Sequence, residues 1–285
     1  MKEMIKKIIT SLLALLPMMI AAQDIIYSKS DSIAIEKILS KHQAGEYSNK
    51  GELSLAIAHE FIGKKYVANT LENGAEEPLF ISCDRLDCST FVELVTAISL
   101  TVIQNKKNFD DVCKNLEMLR YKGGVRNGYP SRLHYTSWWI ADNMTKGIIE
   151  EVTGHTKHET QILELDFMST HPDSYPLLKE DYTMLAQIAE LEKPFRGIAT
   201  DYIPKSLLNK DKEVLEIRNG DIIALVTTVK GLDISHVGFA YWNDGTLHLL
   251  HASSGKGKVI KDTVALFNYQ KNRNKQIGIR VLRLK

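Results

Sequence analysis

The sequence predicts an α+β fold, with helices first and an antiparallel sheet afterwards. Two stretches carry that expectation. In residues 88–100 (CSTFVELVTAISL), Phe91, Leu94, Val95 and Ile98 fall at i, i+3, i+4 and i+7, which is the apolar face of a buried helix. In the last third, the β-rich runs ISHVGFAYW and TLHLLHAS flank Asn243-Asp244-Gly245, a strong hairpin signal.

The chain opens with Lys2, Lys6 and Lys7, then an uncharged apolar run over residues 8–21, then Ala21-Ala22-Gln23-Asp24. That pattern reads as a secretory signal peptide, residues 1–22. The run is too short, and too interrupted by Pro17, for the roughly 20 apolar residues a membrane span needs. The expected product is a single domain over residues 23–285, periplasmic or secreted, with no stable membrane span after cleavage. No Cys follows the small residues, which argues against a lipid anchor.

The mature start reads as a lead segment with one short helix. Leu53, Ile57 and Phe61 then recur at four-residue spacing up to Gly63, an amphipathic helix with a C-cap. A polar loop spans residues 69–78. At the next helix start Asp87 and Thr90 are both N-cap candidates, and Thr90 with Glu93 fits the capping-box spacing. Residues 101–208 carry few strand signals and read as a helical and loop insertion that wraps the core. Asn219-Gly220-Asp221 is a turn before the apolar run 222–226, and alternation over residues 277–284 fits a closing strand.

Net charge is +1. Removing the leader takes away three Lys and one Glu. Neither state offers the clustered basic face that nucleic-acid binding requires. The chain has three Cys, so at least one thiol stays unpaired in an exported protein. Cys83 and Cys113 either pair or are both inert buried thiols. No C-x-x-C occurs, which makes a structural zinc site improbable.

Cys88 is the candidate nucleophile, because a helix N-terminus presents free amides and a dipole that favour a thiolate. A base and an orienting group complete such a site. His236 sits in a strand-like run, on the face of Ile234 and Gly238, and is expected to meet Cys88 across the core. His251, across the hairpin, shares its face with Leu247 and Leu249 and is the natural orienting partner. His248 points the other way. His155 and His158 lack a carboxylate at helical spacing, so no metal is assigned. No G-x-S-x-G elbow suggests a serine nucleophile. Cys83 lacks the helix-start position.

In combination, Asp-Cys-Ser at a helix start, Gly-Asp before a strand, Ser-His-Val-Gly, a hairpin and His-Ala-Ser resemble the NlpC family of papain-like cell-wall hydrolases. The resemblance covers about residues 51–100 and 215–285. GKKYVANTLE, RLDCSTFVELV and GYPSRLHYTSWWIADN look like a narrower branch, the AmiA-like muropeptide amidases, and extend it over most of the mature chain. The resemblance implies a papain-like core of N-terminal helices on an antiparallel sheet, with Cys88 as nucleophile, His236 as base and His251 as third residue. It also implies that the Tyr66 hydroxyl helps hold the tetrahedral intermediate, beside an oxyanion hole from the amides near Cys88 and Ser89.

The reaction so implied is cleavage between N-acetylmuramic acid and L-alanine in peptidoglycan fragments, anhydromuropeptides above all, by a monomer that needs no cofactor. The alternatives are an NlpC-type γ-D-glutamyl–diamino acid endopeptidase and a catalytically dead peptidoglycan-binding module. Expected substrate contacts are Asp87, Ser89 and Ser235. Tyr135, Trp138 and Trp139 would stack on sugars, and Arg132 would grip a carboxylate. For the two Trp, packing of an inserted helix is the competing reading.

Overall fold

The computed structural model describes residues 25–72 and 77–285. The predicted leader, residues 1–22, lies outside the described residues. Four helices come first in the chain: α1 (Lys29–Lys41), α2 (Lys50–His59), α3 (Cys88–Ile103) and α4 (Phe109–Arg120). The amphipathic helix ends earlier than Gly63 suggested, with Glu60 at the C-cap.

Helix α3 is the axis of the core, and every residue from 90 to 102 is buried. Its hydroxyls survive burial by bonding to carbonyls four residues back: Thr96 to Val92, Ser99 to Val95 and Thr101 to Ala97, at 2.7–2.9 Å. Phe91 makes edge-on ring contacts with Phe61, past the end of α2, and with Phe239 of the sheet. One apolar core thus joins α1 to α4 to one face of the sheet.

The sheet uses seven longer strands: β1 (Glu159–Glu164), β2 (Arg196–Pro204), β3 (Ile222–Thr227), β4 (Ile234–Asn243), β5 (Thr246–Ser253), β6 (Lys258–Lys261) and β7 (Gln276–Leu284). Their order across the sheet is β6-β5-β4-β3-β7-β2-β1. Two short strands, Lys65–Tyr66 and Arg85–Leu86, extend the β6 edge, the second parallel to the first. The hairpin falls where expected. Asn243 pairs with Thr246, and Asp244 and Gly245 take φ of 48° and 72°, both positive as a two-residue type I′ turn demands. A second apolar core covers the other sheet face, so β3 is buried along its whole length. That double burial is why its sequence reads as a continuous apolar run.

Asp221, of the Gly-Asp pair before β3, is structural. Its carboxylate takes Arg283 in a two-pronged pair at 2.9 and 2.7 Å. A Cβ on Gly220 would stand 1.8 Å from the Gly51 carbonyl oxygen, so the turn closes against the start of α2 only through glycine.

The insertion departs from expectation in two ways. Helix α4 is part of the main core rather than a wrapping element, with Phe109, Val112, Leu116 and Leu119 all buried in it. Residues 159–164 and 196–204 are strands that prolong the sheet. They were silent in the sequence because β1 is an edge strand with both faces largely open; Ile162 is 55% exposed. What remains is a satellite cluster around Tyr129, Tyr135, Trp138, Leu165 and Ile188, to which α5 (Thr136–Thr145) contributes. Among the described residues no helix is long and apolar enough to cross a membrane.

Candidate active site

Asp87 is the N-cap of α3. Its carboxylate accepts the Thr90 amide at 2.8 Å, and the Thr90 hydroxyl accepts the Asp87 amide at 2.9 Å, a reciprocal box. The alternative box of Thr90 with Glu93 does not form, since Glu93 turns inward to Arg120 at 2.7 Å. Cys88 is therefore the first residue of the helix, half-buried, with Ser89 exposed beside it. Tyr66 pairs with Leu86 in the adjacent short strand, which brings the tyrosine to the segment leading into Cys88. Its hydroxyl pKa is raised by burial and then by the nearby Cys88 and Asp87.

On the sheet, His236 and His251 meet as expected. Nε2 of His236 lies 2.6 Å from Nδ1 of His251, with the rings edge-on. Gly238 makes room for this: a Cβ there would stand 2.8 Å from the His251 Cβ. His248 turns to the opposite side and stacks on Tyr241. The face of β4 that packs under α3 is not the one expected to carry His236. Val237 and Phe239 belong to the core under α3, whereas His236 alternates with them, in the row of Gly238 and Ala240. The start of α3 lies against Val237, next in the chain to His236, whose amide hydrogen-bonds the Cys88 sulfur.

The electrostatics also correct a sequence expectation. The amides at the helix start do not bring the thiol pKa below its ordinary value. Burial, and then the charge of the capping Asp87, push it up to about 11 against the opposing Val237 and Ser89 hydrogen bonds. Burial lowers His236 to about 3, with His251 and Arg273 adding to the effect. Both shifts favour a resting pair of neutral thiol and neutral imidazole at pH 7.

Beside this pair opens a cleft of about 310 Å³, lined among others by Glu72, Asp87, Ser89, Arg132, Trp139 and Val237. Asp87, Ser89, Arg132 and Trp139 are therefore together, as expected. Arg132, however, is 7% exposed and already engaged, with Nη2 at 2.9 Å from Glu72 and Nε at 3.1 Å from Glu77. It is not a free receptor for a carboxylate. Tyr135 and Trp138 are absent from the cleft lining. Tyr135 donates its hydroxyl to Glu192 at 2.7 Å inside the satellite cluster, and Trp138 packs there too while lining a separate hollow of about 290 Å³ with Pro130, Leu133 and Phe195. Ser235 bonds to the Leu225 carbonyl at 3.2 Å and to Gln276 at 3.1 Å, away from the cleft. Cys83 and Cys113 are unpaired and buried. Burial raises both thiols to about 12.

Two residues escaped the sequence reading. Asp262 lies behind His251, Oδ2 to Nε2 at 3.4 Å. Tyr269 sets its ring edge-on to the same histidine at 5.8 Å. The signal for Asp262 was the register of β6 on β5. His251 pairs with Ile260, and the Asp262 amide bonds to the Leu249 carbonyl, so Asp262 is the diagonal neighbour on the His251 face. His155 and His158 are both exposed. Among the described residues no group of three or more His, Cys, Asp or Glu is gathered for a metal ion.

Solved structures with this architecture define its class. An N-acetylmuramoyl-L-alanine amidase from Bacteroides uniformis is 38% identical over 83% of this chain and 99% of its own, with a TM-score of 0.78. A Bacteroides fragilis protein carrying a xylanase name is 43% identical over 81% and 100%, at a TM-score of 0.77. A Legionella pneumophila protein, 24% identical over 90% and 94% with a TM-score of 0.67, shares the fold. The class is that of α+β hydrolases. Residues 56–279 match the AmiA-like, N-acetylmuramoyl-L-alanine amidase-like family, and the chain belongs to it. It is accordingly an amidase-class hydrolase. No curated protein sequence matches the chain.

Proposed function

We propose that the protein is an exported cysteine amidase that cleaves the N-acetylmuramoyl–L-alanine bond of peptidoglycan fragments, anhydromuropeptides in particular, through a thioester on Cys88. The observation that carries this reading is the linked His236–His251 pair, with Val237, the residue after His236, hydrogen-bonded to a helix-start thiol whose neighbours Asp87 and Ser89 line the cleft. His236 takes the thiol proton as sulfur attacks the lactyl carbonyl. The tetrahedral oxygen is held by free amides at the start of α3 and by the Tyr66 hydroxyl. The same proton then goes to the departing alanine amine, and water, activated by His236, hydrolyses the thioester. Because thiol and imidazole rest neutral, proton transfer accompanies attack rather than preceding it.

Within the cleft, Asp87, Ser89 and Trp139 are the substrate contacts of this reading. Cleavage of residues 1–22 would deliver a monomer to the periplasm or the medium, where such fragments arise. The core is of the papain-like NlpC type in this account. The xylanase name among the relatives implies two carboxylates free to flank a glycosidic bond. Here Glu72 is engaged by Arg132, Glu93 by Arg120, and Asp87 caps α3, which favours amide hydrolysis.

Mass spectrometry of a digested anhydromuropeptide tests the bond. Free saccharide with its lactyl group plus an intact stem peptide is expected. A cut stem peptide would indicate the γ-D-glutamyl endopeptidase, and an unchanged substrate the binding module. Inhibition by thiol alkylation and indifference to chelator are expected alongside.

A further inference from the structure

We propose that Asp262 is a positioning residue that fixes the order of protons along His251 and His236; this rests on the cysteine reading above. A carboxylate accepts hydrogen bonds and donates none, and a neutral imidazole has one donor and one acceptor nitrogen. Oδ2 of Asp262 faces Nε2 of His251 at 3.4 Å, so the His251 proton resides on Nε2 and its Nδ1 is bare. Bare Nδ1 of His251 faces Nε2 of His236 at 2.6 Å, so His236 must also carry its proton on Nε2. The nitrogen left bare on His236 is Nδ1, the one free to take the proton of Cys88. One carboxylate, two rings away, thereby selects the catalytic tautomer.

Asp262 is itself held on several sides. Its Oδ1 accepts the Val264 amide at 2.9 Å, its carbonyl accepts His248 Nδ1 at 3.1 Å and the Tyr241 hydroxyl, and its amide donates to Leu249 at 2.8 Å. His251 is fully buried, with Tyr269 edge-on to its ring. The other charge acting on both imidazoles is that of Arg273, which opposes their protonation. Among the described residues the hydrogen-bonding partners of the buried His251 ring are Asp262 and His236.

The Val264 bond makes the isosteric variant diagnostic. In Asp262→Asn the side-chain oxygen stays on the Val264 amide, so the NH₂ takes the place of Oδ2 and donates to His251 Nε2. That forces the His251 proton to Nδ1, from which it donates to His236 Nε2, and the His236 proton to Nδ1, against the thiol. Asp262→Ala imposes no tautomer. The expected order of kcat is therefore wild type above Ala above Asn, with losses of about 10-fold for Ala and about 100-fold or more for Asn and KM within about threefold. Long-range ¹H–¹⁵N correlation spectra should show both histidines protonated at Nε2 in the wild type and at Nδ1 in Asp262→Asn.

A merely structural aspartate gives the opposite order, Asn milder than Ala, with unchanged tautomers, and that result overturns the proposal. The spectra are read independently of turnover. If Cys88→Ala stays active while the tautomers switch as described, the cysteine reading fails and the Asp262 assignment stands.

Discussion

Replacing Cys88 by alanine is expected to lower kcat by about 10⁴-fold or more, the scale seen when the nucleophile of a coupled catalytic set is deleted. The fold should tolerate the change. Cys88 is the first residue of α3, its surroundings are only partly closed, and the Asp87–Thr90 box that starts the helix stays intact. The melting temperature should move by no more than about 2 °C, since deleting one half-buried sulfur removes little packing. The other two thiols make the comparison informative. Cys83 and Cys113 are buried at 2% and 4% exposure, so alanine there leaves a small cavity worth about 1–2 kcal/mol and leaves kcat within about twofold. Steady-state kinetics and thermal melts of the three variants separate the roles: one loses activity at constant stability, and two lose stability at constant activity.

The largest expected loss of stability lies at the last residue of α4. Arg120 is 2% exposed, and its Nε bonds to Glu93 at 2.7 Å while Nη1 bonds to the Phe80 carbonyl at 2.8 Å. The pair ties α4 to α3 and to the two-residue strand Leu79–Phe80. Arg120→Met removes the partner of a buried carboxylate, which costs about 3–5 kcal/mol. In a domain of this size that is about 10 °C of melting temperature. Burial raises the Glu93 pKa, while Arg120 opposes the rise. Without Arg120 the folded pKa climbs further above its unfolded value. The deficit is then smallest below the unfolded pKa, where Glu93 is protonated in both states, and grows as pH rises through the folded value. The double variant Glu93→Gln with Arg120→Met should recover most of the loss, because no buried charge is left unpaired. Thermal melts of both variants at pH 4.5 and pH 7.5 check the magnitude and the sign.

The helix at 88–103 and the hairpin at 234–253 were legible because each carries a strong local signal: a 3.6-residue apolar period in one, and Asp-Gly between β-rich runs in the other. The same two signals place Cys88 at a helix start and put His236 and His251 on facing strands, so the chemical group could be assembled from sequence. The histidines meet even though the side of the sheet was misjudged. A bulge shifts the register between Leu225 and Val226, and the seating of the start of α3 against Val237 is tertiary information no period contains. Asp262 needed the β5–β6 register, set by the loop at residues 254–257. Arg132 and Tyr135 were assigned from residue type alone, and type does not reveal that Glu72, Glu77 and Glu192 already hold them. Edge strand β1 and most of β2 were illegible because exposure on both faces erases alternation.

Partitioning of the reaction by hydroxylamine tests the central claim most directly. A thioester on Cys88 can be taken by hydroxylamine as well as by water, giving a lactyl hydroxamate and the free thiol in place of the lactyl acid. With a muropeptide substrate and increasing hydroxylamine, the account predicts a rising share of saccharide hydroxamate, identified by mass, and none from Cys88→Ala. Saccharide acid as the sole product at every hydroxylamine concentration, with alanine-led peptide released at full rate, would contradict a covalent cysteine intermediate.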